Sequence, residues 1–132
     1  MKRIETAYII DDSRIYVFGL TKIIQTYKLC DNVMVFENGE KAIRYIADNI
    51  TDKGALPEII FLDINMPIMN GWDFLDEFIK LKDSIHKNIV IYMVSSSINP
   101  QDLERAKTYS EISEYIIKPI AISRLRELLT EA

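Results

Sequence analysis

The chain holds a single cysteine, Cys30, in 132 residues. No disulfide can close within it, and an oxidising compartment gains no support. Glycine and proline occur four times each, and neither repeats nor low-complexity segments interrupt the sequence. No apolar run approaches the ~20 residues needed to cross a bilayer. The start, Met1–Ala7, is charged and runs into a short apolar segment without a cleavage-like site, so it does not read as a secretory leader. Positive charge is also short: 16 Lys and Arg stand against 20 Asp and Glu, a formal net charge of −4. No basic stretch carries aromatic residues between its charges, so no nucleic-acid partner is expected. A cytoplasmic protein without membrane insertion is the expectation.

What is present suits one globular domain over residues 1–132, since 48% of the residues are hydrophobic and 27% charged. Five short apolar runs recur: Ala7–Ile10, Val33–Phe36, Ile59–Leu62, Ile89–Val94 and Tyr115–Ile117. They are continuous rather than alternating, as parallel strands covered on both faces require. Between them lie stretches of helical spacing. Tyr16, Leu20, Ile23 and Tyr27 form one stripe, Leu75, Phe78 and Leu81 another, and Ile122, Leu125 and Leu129 a third. Asn38, Asn70 and Asn99 suit helix caps, with Pro100 at a first helical position. The fourth helical segment has little beyond Leu103 and Ala106 to bury, so the least firmly packed helix is expected there. Asp48–Pro57 reads as a polar loop with no assigned role. Five βα units in series predict a doubly wound α/β sheet, with all strand C-termini along one edge. Such folds place their working site at that edge.

The residues just past the strands are therefore the informative ones. Asp11 and Asp12 follow the first strand and Asp63 the third; Ser95, Ser96 and Ser97 follow the fourth, and Lys118 and Pro119 the fifth. Taken singly, each has an ordinary role open to it. An Asp pair can cap a helix, Asp63 can open a turn before Pro67, Ser95 can end a strand, and Lys118 can sit in solvent. The fold, however, gathers them on one rim. Three carboxylates there repel one another, and a divalent cation with the Lys118 ammonium would balance them. Mg²⁺ suits an oxygen donor set of this kind, and a carboxylate fixed beside it can attack a phosphoryl group.

Four motifs then resemble the response-regulator receiver family of two-component signalling, from about Thr6 to Thr130. They are Asp11-Asp12, the stretch Asp63-Ile64-Asn65-Met66-Pro67-Ile68-Met69-Asn70-Gly71, Val94-Ser95-Ser96, and Lys118-Pro119. The resemblance is to a chemotaxis-type stand-alone receiver. It implies a flavodoxin-like sheet of five parallel strands in the order 2-1-3-4-5 with five helices. It also implies Asp63 as phospho-acceptor and Mg²⁺ held by Asp12, Asp63 and the backbone carbonyl of Asn65, with Asp11 helping through water. Ser95 and Lys118 would bind the phosphoryl oxygens, and Ser95 with Tyr115 would form a switch in which Tyr115 turns from exposed to buried. Pro119 matches a proline often preceded by a cis bond. Serine stands at Ser95 where threonine is commoner, and it keeps the hydroxyl.

The implied partners are a histidine kinase or histidine phosphotransfer protein and a downstream protein target, met through the fourth helix, fifth strand and fifth helix. A monomer or weak dimer is expected. Only about one helix follows the last strand, so no output domain is expected, and the chain would catalyse only its own phosphorylation and dephosphorylation. His86 reads as a solvated loop residue, and Met66, Met69 and Trp72 as packing. Three rival readings remain at this stage. A haloacid-dehalogenase-like phosphatase would want an acid where Asn65 stands. An FMN binder would want a hydroxyl- and glycine-rich first loop instead of Asp11-Asp12. The third is an adaptor receiver that takes no phosphate.

Overall fold

Two nearly uninterrupted apolar strands at the centre of the sheet set the architecture. In the computed structural model, which describes residues 4–131, β1 (Thr6–Ile10) and β3 (Ile59–Leu62) are buried at every position. They are flanked by β2 (Asn32–Phe36) on one side and by β4 (Val90–Ser95) and β5 (Ile112–Ile117) on the other. All pairings are parallel, and the order is β2-β1-β3-β4-β5. The helices α1 (Arg14–Thr26), α2 (Gly39–Asp48), α3 (Gly71–Lys82), α4 (Pro100–Lys107) and α5 (Ile122–Glu131) alternate with the strands. One core, with Tyr8, Ile46, Ile60, Phe74 and Met93, lies under α2, α3 and α4. The other, with Ile9, Ile24, Phe61 and Leu125, lies under α1 and α5. A parallel strand covered on both faces must be apolar throughout, which is why β1 and β3 show no alternation.

Helix starts follow side-chain caps. Asn38, Asn70 and Asn99 accept from the N–H groups of Lys41, Asp73 and Gln101, and Pro100 opens α4. The cap of α1 is Ser13, whose hydroxyl accepts from Tyr16 N–H; the Asp pair before it is left for other work. In α1 the buried positions are Leu20 and Ile24, and Tyr27 falls just past the last turn, exposed under Arg126. In α5 the covered stripe is Leu125, Leu128 and Leu129, while Ile122 stays partly in solvent. Only Ala106 is buried in α4.

β5 begins at Ile112, three residues before the run Tyr115–Ile117 seen in the sequence. The register slips between Ile91 and Tyr92, which pair with Ile112 and Glu114, so Ser113 is an extra residue on this edge strand. Polar residues on an edge carry no apolar signal. The loop Asp48–Pro57 also gains a place. Lys87 Nζ donates to the carbonyls of Lys53 and Leu56 at 2.6 Å each, and Tyr8 Oη donates to Ala55 O. Lys87 also pairs with Glu58, whose carboxylate accepts the N–H groups of Glu5 and Thr6. Burial pushes the Glu58 carboxyl up, but the Lys87 ammonium and these two N–H groups hold it below the usual range. The loop is thus stitched to the N-terminal ends of β1 and β3.

Candidate functional site

Pairing of Ile10 with Leu62 sets the two residues that follow, Asp11 and Asp63, side by side at the C-terminal edge. The backbone continues the ladder there: Asp63 N–H donates to Ile10 O at 2.9 Å and Asp11 N–H to Phe36 O at 3.0 Å. Asp11 is 4% exposed and Asp63 8%, while Asp12 reaches solvent. One carboxylate oxygen from each of the three lies within 4.8 Å of the others. Lys118, just past β5, places Nζ 2.8 Å from Asp11 Oδ2 and 3.6 Å from Asp63 Oδ2. The first contact is a hydrogen-bonded ion pair; the second is attraction at longer range.

Asp63 is under strain from its neighbours. Its Oδ1 accepts Ile64 N–H at 2.9 Å. Burial raises its carboxyl from 3.8 to about 6, with Asp11 adding repulsion and Lys118 pulling the other way. A carboxylate that ionises reluctantly, beside two more, is a place where a cation is welcome. The donor set is entirely hard oxygen, which suits Mg²⁺, Ca²⁺ or Mn²⁺ rather than a soft metal.

The loop from Asp63 to Asn70 is gripped at two points by glycines. Gly71 N–H donates to Ile64 O at 2.8 Å, and Gly39 N–H to Met69 O at 2.9 Å. A Cβ on Gly71 would stand 2.3 Å from the Asp63 carbonyl oxygen, so only glycine lets α3 approach the acid's backbone this closely. Within the loop Ile68 sits at φ 68°, a left-handed conformation that a β-branched residue adopts at a cost of roughly 1–3 kcal/mol. Ile68 is 76% exposed, and Asn65 earlier in the loop is also exposed. Met66 and Trp72 are buried and Met69 half-buried, in line with packing roles; His86 lies on the surface.

Ser95 closes β4 as its last residue and is 1% exposed. Its Oγ accepts Ser97 N–H at 3.1 Å, and its carbonyl accepts Lys118 N–H at 2.9 Å. The Lys118–Pro119 peptide bond is cis. Tyr115, expected to turn between an exposed and a buried position, is half-buried, and its hydroxyl donates to Ser97 O at 2.9 Å. A phenol beside a free carbonyl gains more from that bond than from solvent. Ser97 thereby joins both: its N–H goes to Ser95, its carbonyl receives Tyr115, and its hydroxyl donates to Asp102 in α4 at 2.6 Å.

The structure therefore gathers Asp11, Asp12, Asp63 and Lys118 into one cluster and ties Ser95 to Tyr115 through Ser97. Sequence reasoning missed Gly39 and Tyr16. Tyr16 lies on the first turn of α1 with its ring 4.4 Å from Lys118 Nζ. Burial, then Asp11 and Asp63, push its hydroxyl well above the usual phenol range.

Comparison with known proteins identifies the family and agrees with the fold. The family model described as response regulator receiver domain matches residues 7–130. A two-component response regulator from Cytophaga hutchinsonii superposes with a TM-score of 0.81 at 28% identity, covering 98% of this chain and 97% of that one. A response regulator receiver protein from Dyadobacter fermentans DSM 18053 gives 0.78 at 30% identity, covering 96% of each. Among curated proteins, the probable methanogenesis regulatory protein FilR2 of Methanothrix harundinacea is 20% identical over 93% of this chain and 77% of its own length. The protein-glutamate methylesterase/protein-glutamine glutaminase of Halalkalibacterium halodurans is 25% identical, and the match spans 34% of that protein.

Proposed function

The chain belongs to the response regulator receiver domain family, and we propose that it takes a phosphoryl group onto Asp63 and signals by changed contact with another protein. The donor would be a histidine kinase or histidine phosphotransfer protein, in which phosphorus is bonded to an imidazole nitrogen. An Asp63 carboxylate oxygen attacks phosphorus, the P–N bond breaks, and the imidazole leaves with its electron pair and is protonated. The observation that carries this reading is the placement of Asp63. It is largely shut from water, one oxygen is fixed by Ile64 N–H, and Asp11, Asp12 and Lys118 surround it.

Asp11, Asp12, Asp63 and the backbone carbonyl of Asn65 would hold Mg²⁺, which when bound would neutralise charge on the phosphoryl oxygens. Lys118 would pair with one of those oxygens and the Ser95 hydroxyl would donate to another. Turning toward the phosphoryl group would take that hydroxyl from Ser97 N–H, and Ser97 also holds Tyr115 and α4. The charge of roughly −1.5 to −2 added at Asp63 would thus reach the groove lined by Pro100, Leu103, Ala106, Lys107, Ile112 and Tyr115, where a partner could distinguish the two states.

A phosphatase of the haloacid-dehalogenase type is not favoured, because Asn65 cannot serve as a general acid. The reading is tested by intact mass after mixing the protein with a small phosphodonor and Mg²⁺. One phosphoryl group should be gained by the wild type and none by Asp63→Asn; an undiminished gain in the variant would remove Asp63 from the role.

A further inference from the structure

Lys118 is held by more than its carboxylates. Its ammonium lies 4.4 Å from the centroid of the Tyr16 ring, on the first turn of α1. Asp11 Oδ2 is at 2.8 Å and Asp63 Oδ2 at 3.6 Å, and the side chain is 15% exposed. The cation therefore has a tight carboxylate, a loose carboxylate and an aromatic face as neighbours. We infer that Tyr16 is a positioning residue for the phosphoryl transfer, its ring acting as a platform on which the Lys118 ammonium pivots from Asp11 toward the group on Asp63. This deepens the reading of Asp63 as phospho-acceptor and rests on it.

The physical case lies in how the three contacts respond to displacement. A hydrogen-bonded ion pair is directional and weakens steeply as the donor turns away. Attraction to an aromatic face follows the ring quadrupole and holds within about 6 Å of the centroid, with no single donor direction required. An ammonium seated on a ring can thus change carboxylates while remaining anchored. Without the ring, the lysine is left to Asp11 or to solvent, and the fraction of molecules with Nζ beside Asp63 falls. The aromatic face does this work and the phenol does not: Tyr16 Oη is buried without a hydrogen-bond partner among the described residues. Phenylalanine should therefore serve as well, and should melt no lower, since it removes an unsatisfied polar group.

Two measurements test this on the full chain. The first is spectroscopic and needs no phosphoryl transfer. Protons on Lys118 Cε should be shifted upfield by the ring current in wild type and Tyr16→Phe, and should return to ordinary lysine values in Tyr16→Leu. The second is the rate of phosphorylation by a small phosphodonor with Mg²⁺. Tyr16→Phe should keep the wild-type rate, and Tyr16→Leu should fall about three- to tenfold, the range expected of a partly desolvated cation–π contact. Tyr16→Met serves as a second aliphatic variant should leucine lower the melting temperature. In a Lys118→Met background the same substitutions should change nothing further. An unshifted lysine signal in wild type, a wild-type rate in the aliphatic variants, or an equal fall in the Lys118→Met background would each overturn the proposal. A wild-type chain that takes no phosphoryl group overturns the reading of Asp63 itself, and this inference with it, whatever the lysine signal shows.

Discussion

Asp63 is pulled two ways: burial and Asp11 favour its neutral form, while Lys118 and Ile64 N–H favour the carboxylate, and the first pair wins. Its pKa in the folded chain, about 6, exceeds the ordinary 3.8. Folding therefore takes up a proton between these values. The stability tied to the neutral form is full below the lower value and is lost as pH rises through the upper one. Without divalent metal, Asp63→Asn should leave stability little changed near pH 4 and raise it near pH 7.5. The gain should be about 1 kcal/mol or more after discounting for screening at this partly solvated rim. Paired urea melts of the two proteins at both pH values check this. Because Glu58 and other paired carboxylates titrate in both proteins, only the difference between them is diagnostic. At this scale the acids were legible, since Asp11 and Asp12 adjoin and Asp63 ends an apolar run. Tyr16 was not, because its meaning depends on Lys118, which the fold brings to it from the far end of the chain.

Elements hold these residues through close backbone contacts. α3 presses its first residue, Gly71, onto the carbonyl of Asp63, while a Cβ on Gly39 would stand 2.9 Å from the Met69 carbonyl and side chain. Gly71→Ala forces a methyl group against main chain that is itself hydrogen-bonded. It should destabilise by about 2–3 kcal/mol and lower the melting temperature by several degrees. Gly39→Ala should be less damaging, because part of its obstacle is a flexible methionine. Parallel thermal melts of the two variants give the comparison. A glycine at a helix start suggests a cap in sequence, so the approach distance could only come from the structure. β1 and β3 were readable because both faces are covered. The first half of β5 was not, since Ser113 and Glu114 lie on an edge with solvent at hand. α4 was expected to be the least firmly packed helix, and it buries one residue, Ala106. Its thin core is supplemented by Arg105 over Trp72 at 4.8 Å, and Tyr109, just past its end, stacks on the same ring at 5.7 Å. Trp72 is the only tryptophan. If phosphorylation at Asp63 moves α4 as proposed, the Trp72 emission should change, and Arg105→Ala should reduce that change by about half or more, because Arg105 is the α4 side chain seated on the ring. An identical response in the variant would place the signal elsewhere.

Across the whole molecule, the sheet order brings three acids, a lysine and a buried serine from four strand ends to one rim. Five runs of apolar residues and the right-handed crossover rule were enough to anticipate this, because the parallel strands all point their C-termini the same way. The partner's identity has no such trace in the pattern. The central claim is that this rim makes an acyl phosphate on one particular carboxylate. Reductive trapping tests it most directly: borohydride converts an aspartyl phosphate to homoserine, and peptide mapping then locates the residue. After treatment with a phosphodonor and Mg²⁺, homoserine should appear at position 63 and should depend on both reagents. Homoserine at position 11 or 12, or none at any position from a folded, Mg²⁺-loaded sample, would contradict the account; the second result would leave the adaptor reading in its place.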